Sequence, residues 1–232
     1  MTIIDRSSGY APVSARSFVN DGDEELLTTP RHKALDGSKP SLNLRWMLAN
    51  SIYQSELKRG TDPNKIILTS VHTDSLYNDK MRGAMIYIPG AEYRREQEAP
   101  RDAVYGVYRE GQSFSRFTSS ASERRRDEAL SRNFAEIVIR ELQRKQIKCH
   151  DQGDPIRSVV RKSRTVSYVP AVIRNAKVPT KVLIETANIN NATDRGRLSD
   201  PAWRQQFAEA YVDALKRYYG SEVQTRVAAA DE

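Results

Sequence analysis

Apolar residues recur along the chain at two distinct spacings, and those spacings predict the elements. From Leu42 to Leu57 the apolar positions Leu42, Trp46, Leu48, Ala49, Ile52 and Leu57 follow a helical period. Lys58-Arg59-Gly60 then closes that helix with cations and a glycine. Ile66-Ile67-Leu68-Thr69-Ser70-Val71 is a compact, β-branched run that predicts a buried strand, with His72 at its carboxyl end. Ala84-Met85-Ile86-Tyr87-Ile88 predicts a second strand, stopped by Pro89-Gly90. A shorter piece, Leu26 to Thr29, reads as a strand ended by Pro30. Ser131 is placed to cap a helix whose apolar face is Phe134, Ile137, Val138 and Leu142. Tyr168 to Ile173 and Lys181 to Ile184 read as strand-like, and Glu185 ends the second. Asp200 and Pro201 open a last helix with the stripe Trp203, Phe207, Tyr211 and Leu215. Strands alternating with amphipathic helices predict an α/β layer fold, a mixed sheet flanked by helices.

Composition divides the chain further. Residues 1–40 are rich in Ser, Pro, Asp and Gly, and 1–25 read as an irregular lead-in to a domain spanning 26–220. Residues 89–128 carry eight Arg against eight Asp+Glu, so they are dense in charge yet neutral; they read as an insertion, partly helical or mobile. Residues 221–232 read as a disordered tail. The formal net charge of +7 suits an anionic partner such as an acidic wall polymer, an acidic membrane or nucleic acid, without choosing among them. Its largest local source is 140–164, with eight Lys/Arg against three acids; a solvated face is the ordinary reading of such a stretch. Nothing resembles a helix-turn-helix, a zinc finger or an aromatic RNA-binding sheet, so a nucleic-acid partner is not expected. Cys149 is the one cysteine, which excludes an intrachain disulfide and a cysteine-rich zinc cluster. No apolar run reaches the roughly 20 residues that span a bilayer. The first residues lack the apolar core of a signal peptide, so any export signal is expected upstream of Met1.

His72 and Glu185 are the candidates for chemistry. Both close apolar strands, and ligand sites in open α/β sheets lie at that edge. A neutral imidazole there suits zinc, and a nearby carboxylate suits proton transfer. The plainer readings are a hydrogen-bonded loop histidine and a glutamate in a cap or ion pair. His32 lies in the basic loop Pro30-Arg31-His32-Lys33 and is expected to be solvated. His150 follows Cys149 at a basic helix end, where a cation suits the helix dipole. Adjacency gives that pair poor geometry for a metal.

Several motifs in order resemble one family. Leu42-Asn43-Leu44-Arg45 with Ala49-Asn50 is similar to an L-x-x-R then A-N helix. Ser70-Val71-His72-Thr73-Asp74 followed by Arg82-Gly83-Ala84 resembles a histidine-bearing strand and the glycine that opens the next one. Val178-Pro179-Thr180-Lys181-Val182-Leu183-Ile184-Glu185-Thr186-Ala187 with Asn190-Asn191 is similar to P-A-V-L-V-E-T-x-F-x-S-N. Leu198-Ser199-Asp200-Pro201, Phe207-Ala208 and Tyr218-Tyr219-Gly220 resemble the closing helix. These are the marks of the zinc-dependent N-acetylmuramoyl-L-alanine amidases (amidase type 3), hydrolases of the bacterial cell wall. The resemblance implies peptidoglycan as substrate and an envelope location, periplasmic or extracellular. It implies zinc-activated water attacking the amide between N-acetylmuramic acid and the L-alanine of the stem peptide. His72 matches a metal ligand, Glu185 the catalytic glutamate, and Asn188 to Asn191 the loop beside it. Related amidases can carry a regulatory helix near 89–128, which implies a regulatory protein there. The family's D-P-G-H-G-G strand, with its ligand histidine, and the helix with its glutamate ligand have no convincing counterpart. Ile3-Ile4-Asp5 and Arg6 to Gly9 echo that strand with Ser8 in the histidine's place. The reading is of a domain lacking its first strand and helix, which holds zinc weakly and does not hydrolyse peptidoglycan. The alternative is a non-catalytic module that binds wall glycan or a protein.

Overall fold

The computed structural model describes residues 25–33, 39–94, 97–98, 100, 102–112, 116–117, 119–161 and 163–220. The chain runs through β1 (Glu25–Leu26), β2 (His32–Lys33), α1 (Lys39–Lys58), β3 (Ile67–Asp74), β4 (Met85–Tyr87) and β5 (Gln97–Glu98). It continues through α2 (Ala103–Gly106), α3 (Arg109–Gln112), β6 (Arg116–Phe117), α4 (Ala121–Arg144), β7 (Ile156–Arg157), β8 (Val160–Arg161) and β9 (Ser167–Tyr168). It ends with α5 (Ala171–Arg174), β10 (Thr180–Asn188), α6 (Ala192–Ser199) and α7 (Pro201–Gly220). The main sheet has the order β3-β10-β4-β7, and the other strands form two-stranded ribbons. β10 is parallel to β3 and antiparallel to β4, so the sheet is mixed, as the alternating pattern predicts.

Side-chain alternation splits the sheet into two unlike faces. Ala84, Ile86 and Ile88 with Val182 and Ile184 point one way. They meet Phe134, Val138 and Leu142 of α4 and Ala210, Ala214 and Tyr218 of α7, forming the largest apolar cluster. The stripe Trp203, Phe207, Tyr211 and Leu215 packs at its margin. The other face carries Leu68, Met85, Tyr87 and Leu183, covered by Ala49 and Tyr53 of α1, Ile173 of α5 and Val169 just before it. That second cover is thinner, and the polar residues His72 and Glu185 lie on that face. Gly83 sets the entry to β4. Its φ is +96°, and a Cβ there would sit 2.7 Å from the Lys148 carbonyl oxygen, so a side chain is excluded by both backbone and space.

Several expectations are corrected. Helix α4 starts at Ala121, capped by Ser120 in a capping box with Glu123, and not at Ser131. Ser131 lies buried inside the helix, where its Oγ accepts from the Lys181 N–H at 3.0 Å. The segment Tyr168 to Ile173 is not one strand: Pro170 ends the extended stretch and caps α5. Of Leu26 to Thr29, only Leu26 lies in a strand. Neither His72 nor Glu185 ends its strand, since β3 runs on to Asp74 and β10 to Asn188. Within 89–128, α2, α3 and the start of α4 are helical, and two residues anchor the segment. Tyr105 and Glu110 are buried, the Glu110 carboxylate accepts from the Thr29 N–H at 2.8 Å, and Tyr105 Oη accepts from Asn43 at 2.8 Å. The expectations for Ile3 to Gly9 and for 221–232 fall outside the described residues.

Candidate active site

The parallel register of β3 and β10 sets Glu185 directly opposite His72. Residues paired in that way project from the same face of a sheet. The face is the one covered by α1 and α5, so the two sequence candidates share one face of the sheet. His72 Nε2 lies 2.9 Å from Ser70 Oγ, two residues back on the same face. Burial and the charge of Arg45 on α1 both hold the imidazole below its ordinary pKa, so it is neutral at pH 7. Burial, with the charge of Asp74 added, pushes the Glu185 carboxyl up to about 8. At neutral pH Glu185 therefore keeps a proton it can give away, and its Oε2 is buried with no hydrogen-bond partner.

Asp74 joins them from the end of β3. Its carboxylate accepts from the Ser75 N–H at 2.7 Å, and burial raises its pKa while Arg157 and His150 counter that. Burial pushes Tyr87, on the same face, up to about 12. His150 is not at a helix end: it follows the bridge between Ala84 and Cys149, and it is buried. Its Nε2 has no hydrogen-bond partner, and its charge and that of Asp74 act on each other. Arg45, Arg157 and Tyr87 carried no expected role. Arg45 alone had a sequence signal, its place in the L-x-x-R pattern.

The loops beside the cleft are held by polar groups and not by apolar packing. Asn188 Nδ2 donates to the Met81 carbonyl at 2.7 Å, and its Oδ1 accepts from Leu76 N at 3.1 Å. Asn190 and Asn191 donate to the carbonyls of Leu76 and Asp79 at 3.0 and 2.7 Å. Asp194, buried in the first turn of α6, accepts from Gly83 N at 2.8 Å and Asn188 N at 3.0 Å.

A zinc site with protein ligands takes three or four donors. Among the described residues no group of three or more His, Cys, Asp or Glu could hold one metal. His72 is the one imidazole placed opposite Glu185, Ser70 engages its Nε2, and a guanidinium acts on it. The described residues thus do not fit a zinc ion by themselves. His32 is half-buried and hydrogen-bonded, where a fully solvated side chain was expected. Its ring nitrogens lie 2.7 Å from Tyr108 Oη and 2.9 Å from Ser41 Oγ, so it ties β2 to α1 and to the residue before α3. The buried Cys149 thiol is pushed up to about 11 and stays protonated. A groove of about 960 Å³ lies on the far side of the sheet between α4 and α7, away from this chemistry. Its cations are largely paired, Arg217 with Glu141 at 2.7 Å and Lys145 with Glu209 at 3.1 Å. Among the described residues no helix is long and apolar enough to cross a membrane.

Comparison with known proteins was made on both sequence and fold. A search of curated proteins finds no match. The N-acetylmuramyl-L-alanine amidase Ami1 from Mycobacterium smegmatis superposes with a TM-score of 0.49 at 18% identity, over 78% of this chain and 61% of that one. The N-acetylmuramoyl-L-alanine amidase from Clostridium difficile 630 gives 0.46 at 17% identity, over 78% and 67%. The Clostridioides difficile CwlD amidase, solved in complex with the GerS lipoprotein, gives 0.41 at 15% identity, over 73% and 64%. The chain thus spans about three fifths to two thirds of these structures. The family model for N-acetylmuramoyl-L-alanine amidase matches residues 31–217 of the 232, which takes in α1, the β3–β10 pair and nearly all of α7. The chain belongs to the N-acetylmuramoyl-L-alanine amidase family.

Proposed function

We propose that the cleft between β3, β10 and α1 is a peptidoglycan site in the cell envelope. In it Glu185 is the acid–base group and His72 the one imidazole available to a metal. The observation that carries this reading is the His72–Glu185 pairing on one face of the sheet. Glu185 holds its proton near neutral pH, which suits donation to the amine released when the amide between N-acetylmuramic acid and L-alanine breaks. Zinc, the family's metal, needs at least two donors beyond those the described residues bring together. Hydrolysis therefore depends on donors from outside them. The same shortage favours a second reading, a module that binds wall glycan or peptide without cutting it. A regulatory protein is proposed to act at 89–128, whose described parts dock on α1 and on the β1–β2 turn through Tyr105 and Glu110.

Co-sedimentation with purified peptidoglycan tests the site. The chain is expected to pellet with the wall. The double variant His72→Ala, Glu185→Ala is expected to bind at least about fivefold more weakly, a loss of about 1 kcal/mol. A chain that stays in the supernatant, or a folded double variant that pellets as well as the original, overturns the proposal.

A further inference from the structure

The loop that joins β3 to β4 is pinned on both sides of one residue. Leu76 donates its N–H to Asn188 Oδ1, and its carbonyl accepts from Asn190. The carbonyls of Asn78 and Met81 accept from Asn188 Nδ2 at 3.2 and 2.7 Å, and that of Asp79 accepts from Asn191. Asn188 is itself buried at the end of β10, so these ties are anchored in the sheet. The Leu76 side chain packs with Met85, Tyr87 and Leu183, on the face that carries His72 and Glu185. Between the ties stands Tyr77, whose ring lies wholly in water. It is 108% exposed, against 61% for Val107, the next most exposed large apolar side chain among the described residues. Tyr77 has no hydrogen bond or ring contact among the described residues.

Ordering a loop costs conformational entropy, and a ring left in water forgoes the burial of its apolar surface. An aromatic ring held in that way on a fixed support is preorganised for a ligand to cover it. The surroundings of the ring select the ligand. Ser75, Asn78, Asp79 and Lys80 are exposed around it, so it lacks the contiguous apolar patch that a protein interface buries at its core. A lone ring in a polar surround suits a sugar, whose C–H face lies flat on the ring while its hydroxyls stay with water. The location suits a sugar too. Asn188, which holds the loop, stands three residues past Glu185, about 10 Å along the strand. In the amide assigned to Glu185, one lactyl group joins the sugar to the bond that breaks.

We infer that Tyr77 is a sugar platform: its ring stacks on a pyranose of the glycan strand and holds that strand beside Glu185. The proposal rests on the peptidoglycan reading of the site and adds which group of the polymer is gripped, and by which residue. Tyr77 binds and takes no part in proton transfer.

The test titrates the whole chain with chitotetraose, a soluble oligomer of N-acetylglucosamine, and follows it by calorimetry and by the Tyr77 ring resonances. The original chain is expected to bind, with shifts at Tyr77. Tyr77→Ala is expected to weaken binding by about fivefold, the scale of one aromatic contact, and Tyr77→Trp to match or exceed the original. Tyr219→Ala, which removes a half-exposed ring from α7 on the other side of the sheet, is expected to change binding by less than about twofold. An original chain that does not bind the oligomer overturns the inference. So does a Tyr77→Ala protein, folded by circular dichroism, that binds as well as the original. A Tyr77→Trp protein that binds as weakly as Tyr77→Ala also overturns it, because stacking is then not what holds the sugar. Wall co-sedimentation of the His72→Ala, Glu185→Ala variant in parallel separates the two levels. Sugar binding that depends on Tyr77, beside a double variant that pellets as well as the original, keeps the platform and loses the reading of the His72–Glu185 site.

Discussion

Asp127→Ala is expected to destabilise the chain by about 3–5 kcal/mol, the range for removing one partner of a buried ion pair. The carboxylate is 5% exposed and holds two enclosed cations, Lys181 at 0% and Arg94 at 6%. Without it Arg94 keeps only the Arg174 carbonyl and Lys181 only the Ala176 carbonyl, so Lys181 must either shed its proton or stay charged and unpaired. The loss should depend on pH. Burial already pushes Lys181 down to about 7, far below its ordinary value, with Asp127 present. Removing Asp127 lowers it further. Below about pH 7 the original protein then binds this proton when folded, whereas the variant binds it only when unfolded. Below about pH 7 the original's stability therefore levels off while the variant's goes on falling, and the gap between the two proteins widens as pH falls through 7. Adding Lys181→Met should recover much of the loss by removing the stranded charge. Urea unfolding at pH 6 and pH 8 reads both effects. A difference under 1 kcal/mol at pH 6, or no recovery in the double variant, would show that the cluster is not coupled as described.

Asp194→Ala is expected to cost about 2–6 kcal/mol, because it strands two buried N–H groups at roughly 1–3 kcal/mol each. Those groups belong to Gly83 and Asn188, which hold the loops on either side of the cleft. The structural consequence should be local. Amide protons of Gly83 and Asn188 should exchange faster than those of Phe134 and Val138 in the α4–α7 core. Exchange that is unchanged at both amides, together with a loss below 1 kcal/mol, would assign Asp194 a surface role its burial contradicts.

How far the sequence could be read follows from what each element buries. Helix α7 and strands β3, β4 and β10 are legible because each buries apolar side chains at a regular period. The start of α4 is not, because its first turns carry Glu-Arg-Arg-Arg-Asp-Glu and bury little apolar surface. The signal was there in another form, since Ser120 and Glu123 stand at capping-box spacing. Helix α5 was hidden because Val-Pro-Ala-Val-Ile is apolar throughout, and such a run reads equally as a strand. At the site, His72 and Glu185 were legible from their motifs, and their pairing was legible as an expectation of two like-placed strands. Arg157, Tyr87 and His150 were not, because the sheet's register and the 149–157 crossing bring them in from other parts of the chain, whereas Asp74 stands two residues from His72 in the same motif. His32 was misjudged since its partners Tyr108 and Ser41 are 76 and 9 residues away. A basic loop and a half-buried tie look alike in sequence.

The central claim is that this is an amidase-family cleft whose described residues under-ligate zinc. The most direct measurement is the zinc retained per chain after dialysis against metal-free buffer, with release of stem peptide from purified peptidoglycan assayed on the same sample. The expected result is well below one zinc per chain and no release above a zinc-only control, because one imidazole cannot hold the ion against water. One zinc per chain, lost in His72→Ala, together with clear release of stem peptide, would contradict it.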